Sequence, residues 1–463
     1  MRDNRQTSLE NSVLFTSRVK PRGSKGMVDS GKAEQPTESP MYPSNLMEVI
    51  CDRENLKLAL RRVERNKGAP GIDGMTVEEL PKVLKTEWPR IKEELLSGQY
   101  RPTPVRRVEI PKPGKRDEKR QLGIPCVMDR FVQQAILQVL QAKWDPTFSA
   151  NSFGFRPSRS AHQAISKAQS YLEHGYEWCV DIDLEKFFDR VNHDQLMSLL
   201  AQRIEDKRVL RLIRAFLNTG VMENGLVRPV SEGTPQGGPL SPFLSNVVLD
   251  QLDQELEKRG HQFVRYGDDC NIYVKSERAG HRVMNSLRDF ITRKLKLKVN
   301  EAKSAVARPR DRKFLGFSFT GGLRPNRRKI APESIKRFRA KVRQLTNRNH
   351  SYSFERRLEK LSSYLHGWKG YFGYCQTPSV LEKMDSWIRR RLRCVVWKQW
   401  KTYKRRKAEL MKRGVSQELA HCTAWAGSTK GDWPMCHTPG VRMALPNKFF
   451  DELDLPRLET DTG

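Results

Sequence analysis

Two aspartates stand side by side at Asp268 and Asp269, inside the run Phe263-Val264-Arg265-Tyr266-Gly267-Asp268-Asp269-Cys270-Asn271-Ile272-Tyr273-Val274. A plain turn explains such a pair, because Asp is a good turn former. The other reading is a cation site. Hard divalent ions such as Mg²⁺ take carboxylate oxygens and complete their shell with substrate phosphates. Two such ions can clamp the attacking and leaving oxygens of a phosphoryl transfer. A third carboxylate should then come from another strand end, and Val180-Asp181-Ile182-Asp183 supplies one. Asp181 and Asp183 share a strand face because side chains alternate with period two. On the residues alone, either could be the ligand.

The elements that must position these groups are legible in outline. Strands at 263–266 and 271–274 flank Gly267–Cys270, which reads as a hairpin with Gly and Asp in the turn. A strand over 178–183 feeds the other carboxylate. Helical periodicity begins near 46 and recurs over 129–143, 161–174 and 193–204, and 102–125 reads as short strands and turns. Residues 1–45 are polar, rich in Gly, Ser and Pro and without periodicity, the pattern of a mobile tail.

Charge decides the class of partner. The 463 residues carry 85 Lys and Arg against 54 Asp and Glu, a net +31. That excludes an acidic solvating protein and points to a polyanion, above all nucleic acid. The excess is concentrated: residues 324–410 hold 25 Lys and Arg against 6 Asp and Glu, a net +19, on a helical pattern interleaved with Trp and Tyr. There Trp368, Tyr371, Trp387 and Trp397 are expected to pack a core. The eight Cys include no CxxC pair, so a reducing compartment is expected, with no disulfide framework. Zinc at His421-Cys422 and Cys436-His437 is disfavoured by the spacing. With no apolar run long enough for a membrane and a polar N-terminus, the expected setting is cytoplasmic, away from any membrane.

An ordered series of blocks makes the reading specific. Asn66–Gly74 (NKGAPGIDG), Arg120–Pro125 (RQLGIP), Ser152–Pro157 (SFGFRP) with Arg159-Ser160, Gly233–Pro242 (GTPQGGPLSP), Tyr266-Gly267-Asp268-Asp269, Lys298–Lys303 and Phe314–Phe317 (FLGF) follow one another. Over about 46–450 the chain resembles the reverse transcriptase/maturase proteins encoded by bacterial group II introns, in the class lacking a C-terminal endonuclease. The resemblance implies an α+β right-hand polymerase: fingers, a palm with an antiparallel sheet, and a helical thumb. The division it implies is fingers and palm over 46–325, a maturase thumb (domain X) over 326–410, and a short DNA-binding-like tail over 411–463.

It also implies roles. In this family the first metal aspartate precedes a bulky aromatic by five positions; Asp183 and Phe188 fit, and Asp181 does not. Asp183, Asp268 and Asp269 are thus the expected ligands for Mg²⁺, or Mn²⁺ in its place, with Asp181 in support. Phe188 would exclude a 2′-hydroxyl and select dNTPs. Lys112 and Arg120 would grip the triphosphate, Gln236 would line the nucleotide pocket, and Lys303 would protonate departing pyrophosphate. Arg156, Arg159, Arg389, Arg390 and Arg393 are expected on nucleic acid. The implied partners are group II intron RNA, an RNA template with a DNA primer, target DNA and dNTPs. Gly267 departs from the family's usual Ala and matches the Gly-Asp-Asp box of RNA-dependent RNA polymerases. Three alternatives stay open: a non-catalytic RNA-binding splicing factor, a domesticated repair polymerase, and an RNA replicase, which Phe188 opposes.

Overall fold

The computed structural model describes residues 42, 44–111, 119–223, 226–228, 233, 237–349 and 352–459. The chain divides into two compact units, 1–312 and 313–463. Most of the segment expected as a mobile tail lies outside the described residues. Near its end Tyr42 is buried, and its hydroxyl donates to Leu140 O at 2.6 Å.

The first unit is built on two sheets. One contains β1 (Val105–Pro111), β2 (Lys119–Ile124), β4 (Val221–Glu223) and β5 (Leu226–Arg228), in the order β2-β1-β4-β5. The other contains β3 (Trp178–Ile182), β6 (Gln262–Tyr266), β7 (Asp269–Val274) and β8 (Ala305–Ala307), antiparallel throughout, in the order β6-β7-β3-β8. From Cys270 to Val274 every residue of β7 is buried. A strand covered on both faces carries a continuous apolar run, not an alternating one. The helices Ala161–Glu173, Ser241–Lys258 and Glu277–Arg293 pack against this sheet. Their starts follow local chemistry: Ser160 forms a capping box with Gln163, and Ser276 accepts from Ala279 N.

The second unit pairs a two-stranded ribbon, β9 (Phe317–Phe319) with β10 (Arg328–Ile330), with long helices Pro332–Leu345, Phe354–Phe372 and Pro378–Gln399. Trp368 and Trp397 are buried in its core, with the Phe338 ring 4.3 Å from Trp368. The residues after 410 are helical too, and Met435, Val441, Phe450 and Leu458 enter the same core. The whole is the α+β mixture expected, with an antiparallel sheet carrying the acidic residues and a helical second unit.

One local difference matters for the site. The strands of the hairpin run to Tyr266 and restart at Asp269, which pair directly. The turn is therefore two residues, Gly267-Asp268, where the sequence suggested four.

Candidate functional site

Asp183 follows the last residue of β3. Its backbone is fixed by the segment 298–304: Asn300 N donates to Asp183 O at 2.8 Å, and Asp183 N donates to Ser304 Oγ at 3.0 Å. The carboxylate takes Asn300 Nδ2 at 3.2 Å, and Lys303 Nζ lies 3.3 and 3.4 Å from its two oxygens. Asp181, two residues earlier, has a different partner. Arg312 donates to Asp181 Oδ2 through Nε at 2.9 Å and Nη2 at 2.5 Å, and Nη2 also reaches Lys303 O at 2.6 Å. The two aspartates share a face, but a guanidinium ties down only Asp181.

The hairpin tip comes to the same end of the sheet. In the β3–β7 ladder Ile182 faces Cys270, so extending the register by one residue sets Asp183 opposite Asp269. Gly267 has φ +66°, and Asp268 is not in the positive-φ region. A positive φ at the first central residue is what a type II′ hairpin turn requires. A Cβ at Gly267 would lie 2.9 Å from Phe155 Cε2. An Ala at this position would carry its Cβ at positive φ and against that ring.

Behind the tip lies a cation that sequence reasoning missed. Arg265 is wholly buried on β6 and all five of its donors are used. It meets Asp253 Oδ1 at 2.7 Å and Oδ2 at 2.5 Å, Asn246 Oδ1 at 2.9 Å, Gly267 O at 3.0 Å and Ser152 Oγ at 2.8 Å. A bidentate guanidinium–carboxylate pair is geometrically demanding, and here it grips the turn carbonyl just before Asp268. Asp250, one helical turn from Asp253, is also buried; burial first, then the Asp253 charge, pushes its carboxyl up to about 6.

The remaining expected residues divide sharply. Phe188 is half-buried, packed against the main core and edge-on to Phe187 at 5.2 Å. Lys112 and Gln236 lie outside the described residues, and so does the side chain of Arg120, whose backbone pairs with Ile110. Arg159 is partly exposed, with its guanidinium 5.3 Å over Phe153.

Three arginines expected on nucleic acid are corrected. Arg156 is 8% exposed, and its five donors go to Asp145, Ser149 O and Ser152 O, leaving none for a phosphate. Arg389 is 3% exposed and pairs with Asp385 at 3.1 Å and Asp451 at 2.8 Å. Arg393 is buried and donates to Leu445 O and Asn447 Oδ1, each at 2.8 Å. The run circles its helix, and residues 445–451 cover that face. Arg390 is half-buried above Trp433 at 3.8 Å.

A basic surface does exist elsewhere in the second unit. Lys336, Arg339 and Arg343 rise along one face of the helix Pro332–Leu345, joined by Lys329, around a groove of about 500 Å³ floored by Ile330, Ile335 and Val380. The spacing of three and four residues was legible as one helical face, but the general surplus of Lys and Arg masked it.

Asp183, Asp268 and Asp269 offer only hard oxygen donors, which fits Mg²⁺ or Mn²⁺ and not a soft ion. Among the described residues no three His, Cys, Asp or Glu form a ready-made metal cage.

Comparison with known proteins identifies the family. Residues 110–319 match the family model "Reverse transcriptase (RNA-dependent DNA polymerase)", and 335–414 match "Group II intron, maturase-specific domain". The chain is 34% identical over 325 residues to Protein YkfC of Escherichia coli strain K12, covering 62% of this chain and 84% of that one. It is 36% identical over 204 residues to the group II intron-encoded protein LtrA of Lactococcus lactis subsp. cremoris, covering 42% of this chain and 32% of LtrA. An uncharacterized 91 kDa protein in the cob intron of Schizosaccharomyces pombe is 31% identical over 244 residues, 51% of this chain and 29% of that one. The chain thus spans about a third of the length of these two intron-encoded relatives. Among the described residues, no helix is long and apolar enough to cross a membrane.

Proposed function

The chain belongs to the group II intron-encoded reverse transcriptase and maturase family, and from that premise we propose that it extends a DNA primer on an RNA template with dNTPs and holds its intron RNA for splicing and mobility. Family membership carries a reverse transcriptase domain, divalent-metal use and nucleic-acid partners. The activity, the identity of the ion as Mg²⁺ and the individual partners are our reading. One observation carries it: the end of β3 and the tip of the β6–β7 hairpin bring Asp183 into register with Asp269, beside Asp268, within the stretch that matches the reverse transcriptase model.

In this mechanism Asp183 and Asp268 are the main ligands and Asp269 supports them. When bound, the metal supplies positive charge to the phosphates and to the attacking primer oxygen. The protein's own part is positioning. Asn300 and Ser304 fix Asp183, and Arg265 fixes the carbonyl before Asp268. Arg312 holds Asp181, which keeps that carboxylate in a supporting place. Lys303 stands against Asp183 and gives its proton to the departing pyrophosphate. Phe188, on the short helix that follows β3, excludes the 2′-hydroxyl. Lys112, Arg120 and Gln236 serve the triphosphate and the template pocket.

Residues 46–325 act as fingers and palm and 326–410 as the maturase thumb, with 411–463 available to target DNA. The groove of Lys329, Lys336, Arg339 and Arg343 supports RNA binding through phosphates. The eight cysteines without a CxxC pair are read as thiols of a reducing, cytoplasmic setting.

Primer extension on an RNA template with Mg²⁺ tests the reading, supplying dNTPs or rNTPs separately beside Asp268→Ala. DNA synthesis lost in the variant is the expected result. Extension with rNTPs would favour an RNA polymerase, and tight RNA binding with no extension would favour a splicing factor alone.

A further inference from the structure

The segment 151–156 is bolted to the hairpin on both sides of one residue. Phe153 N donates to Arg265 O and Arg265 N to Asn151 O, each at 2.9 Å, so Ser152 makes a single parallel bridge to Arg265 on β6. Gly154 lies so close to the Tyr266–Gly267 peptide that any Cβ would collide with backbone atoms there. Asn246 Nδ2 holds Gly154 O at 2.9 Å. On the other side Arg156 is buried with every donor used.

Between these anchors sits Phe155. Its φ is +60°, a left-handed conformation that a bulky residue rarely adopts. The residue is nevertheless 49% exposed. The ring lies against Gly267 and is tilted 44° to Tyr266 at 6.3 Å. The fold thus accepts backbone strain and wets an apolar ring, and it does both at the turn that carries Asp268. Strain of this kind persists only where surrounding structure enforces it, and it clusters at functional sites.

We infer that Phe155 contacts the 3′-terminal nucleotide of the primer, its ring resting on that nucleotide's sugar or base. The inference depends on the polymerase reading, since a primer 3′-oxygen must come to Asp183 and Asp268, and Phe155 flanks the residue next to Asp268. An aromatic ring suits this task because every base and sugar offers it an apolar face, so the contact is tolerant of sequence. The ring would hold the terminus in line without reading it.

The test compares the full-length protein with Phe155→Gly, Phe155→Leu and Phe155→Tyr. Binding is measured by fluorescence anisotropy with a recessed primer–template and with a template strand alone, and extension is measured in parallel. Glycine adopts φ +60° without strain, so Phe155→Gly should match or exceed the wild-type Tm. It should still weaken recessed-end binding about tenfold, the scale of one lost stacking contact. Template-strand binding and the KM for dNTP should stay within about twofold, and Phe155→Tyr should restore the recessed-end affinity. Equal recessed-end affinity in wild type and Phe155→Gly would overturn the inference. A loss tracked by falling Tm in both Gly and Leu variants, and unrescued by Tyr, would also overturn it. If the wild-type protein binds the recessed end but makes no DNA, the polymerase reading fails while the binding comparison still decides the role of Phe155.

Discussion

Arg265 and Asp253 form a wholly buried bidentate pair, Nε to Oδ1 at 2.7 Å and Nη2 to Oδ2 at 2.5 Å, and the same guanidinium donates to Gly267 O. A helix residue thereby sets the orientation of a turn whose next residue is Asp268. Loss of one partner from such a pair leaves an uncompensated buried charge, at a cost of about 3–5 kcal/mol. Asp253→Ala should lower stability by that order in urea unfolding. Arg265→Lys keeps the charge but has three donors in place of five. It should reduce the single-turnover extension rate about tenfold or more, since small misplacement is costly to rate, with KM for dNTP little changed. Full rate in Arg265→Lys would dissociate the pair from the chemistry.

Gly267 carries a positive φ with the Phe155 ring beside it. Gly267→Ala should destabilise the protein by about 1 kcal/mol. The double variant Gly267→Ala, Phe155→Gly should recover part of this, because the ring is then gone and only the backbone term remains. Thermal melts of the four proteins in that cycle check it; additive losses would show that the ring is not part of the cost.

Lys303 Nζ lies at 3.3–3.4 Å from both oxygens of Asp183. An ammonium on a metal-binding carboxylate competes with the metal. Lys303→Ala should therefore lower the Mg²⁺ concentration for half-maximal extension about two- to fivefold, given that an exposed ion pair is worth no more than about 1 kcal/mol. The maximal rate should fall at the same time if Lys303 also donates a proton. Titration of Mg²⁺ separates the two effects, and an unchanged Mg²⁺ requirement would refute the competition.

Asp250 is buried, with Gln254 on Oδ2 at 2.7 Å and no hydrogen-bond partner for Oδ1 among the described residues. Burial and then Asp253 raise its carboxyl to about 6, against the opposing pull of Arg265 and Arg203. An unfolded Asp titrates near 3.9. Between those values the unfolded chain has lost the proton and the folded one keeps it, so this group makes stability fall as pH rises from about 4 to about 6, and the slope vanishes above that. Asp250→Asn cannot ionise. Its stability relative to wild type should climb by about 2–3 kcal/mol across that window, read from urea midpoints at pH 4, 5, 6 and 7. A constant difference at all four values would mean that Asp250 ionises normally in the fold.

Lys336, Arg339 and Arg343 share one helix face in the second unit. Reversing two of them, Lys336→Glu with Arg339→Glu, should weaken binding to structured RNA uniformly across sequences. It should also flatten the dependence of log affinity on log salt by roughly one to two units, since each phosphate contact contributes about that fraction of slope. The buried pair Arg389 and Arg393 should behave otherwise: Arg393→Ala should lower Tm before it alters the salt slope. The reverse pattern would restore those arginines to the interface.

The sequence by itself determined the class of partner and the order of the blocks, and it pointed to the acidic residues as candidates. Net charge is a sum over the chain and needs no fold. The hairpin was legible because its turn residues and flanking strands are neighbours in sequence, and the helices because their apolar spacing is local. Only the tertiary structure decided which side chains meet. Asp181 and Asp183 have the same local pattern, and what separates them is Arg312 against Asn300 and Lys303, all more than 100 residues away. Arg156, Arg389 and Arg393 look like surface cations in a basic chain, yet each is enclosed by carboxylates and carbonyls. Arg265 gave no signal inside a strand next to the Gly-Asp-Asp motif, because its partner Asp253 sits on another element. A sequence states which groups carry charge; whether a charge faces water or a buried partner depends on the packing of distant elements, and that is where desolvation is either compensated or not.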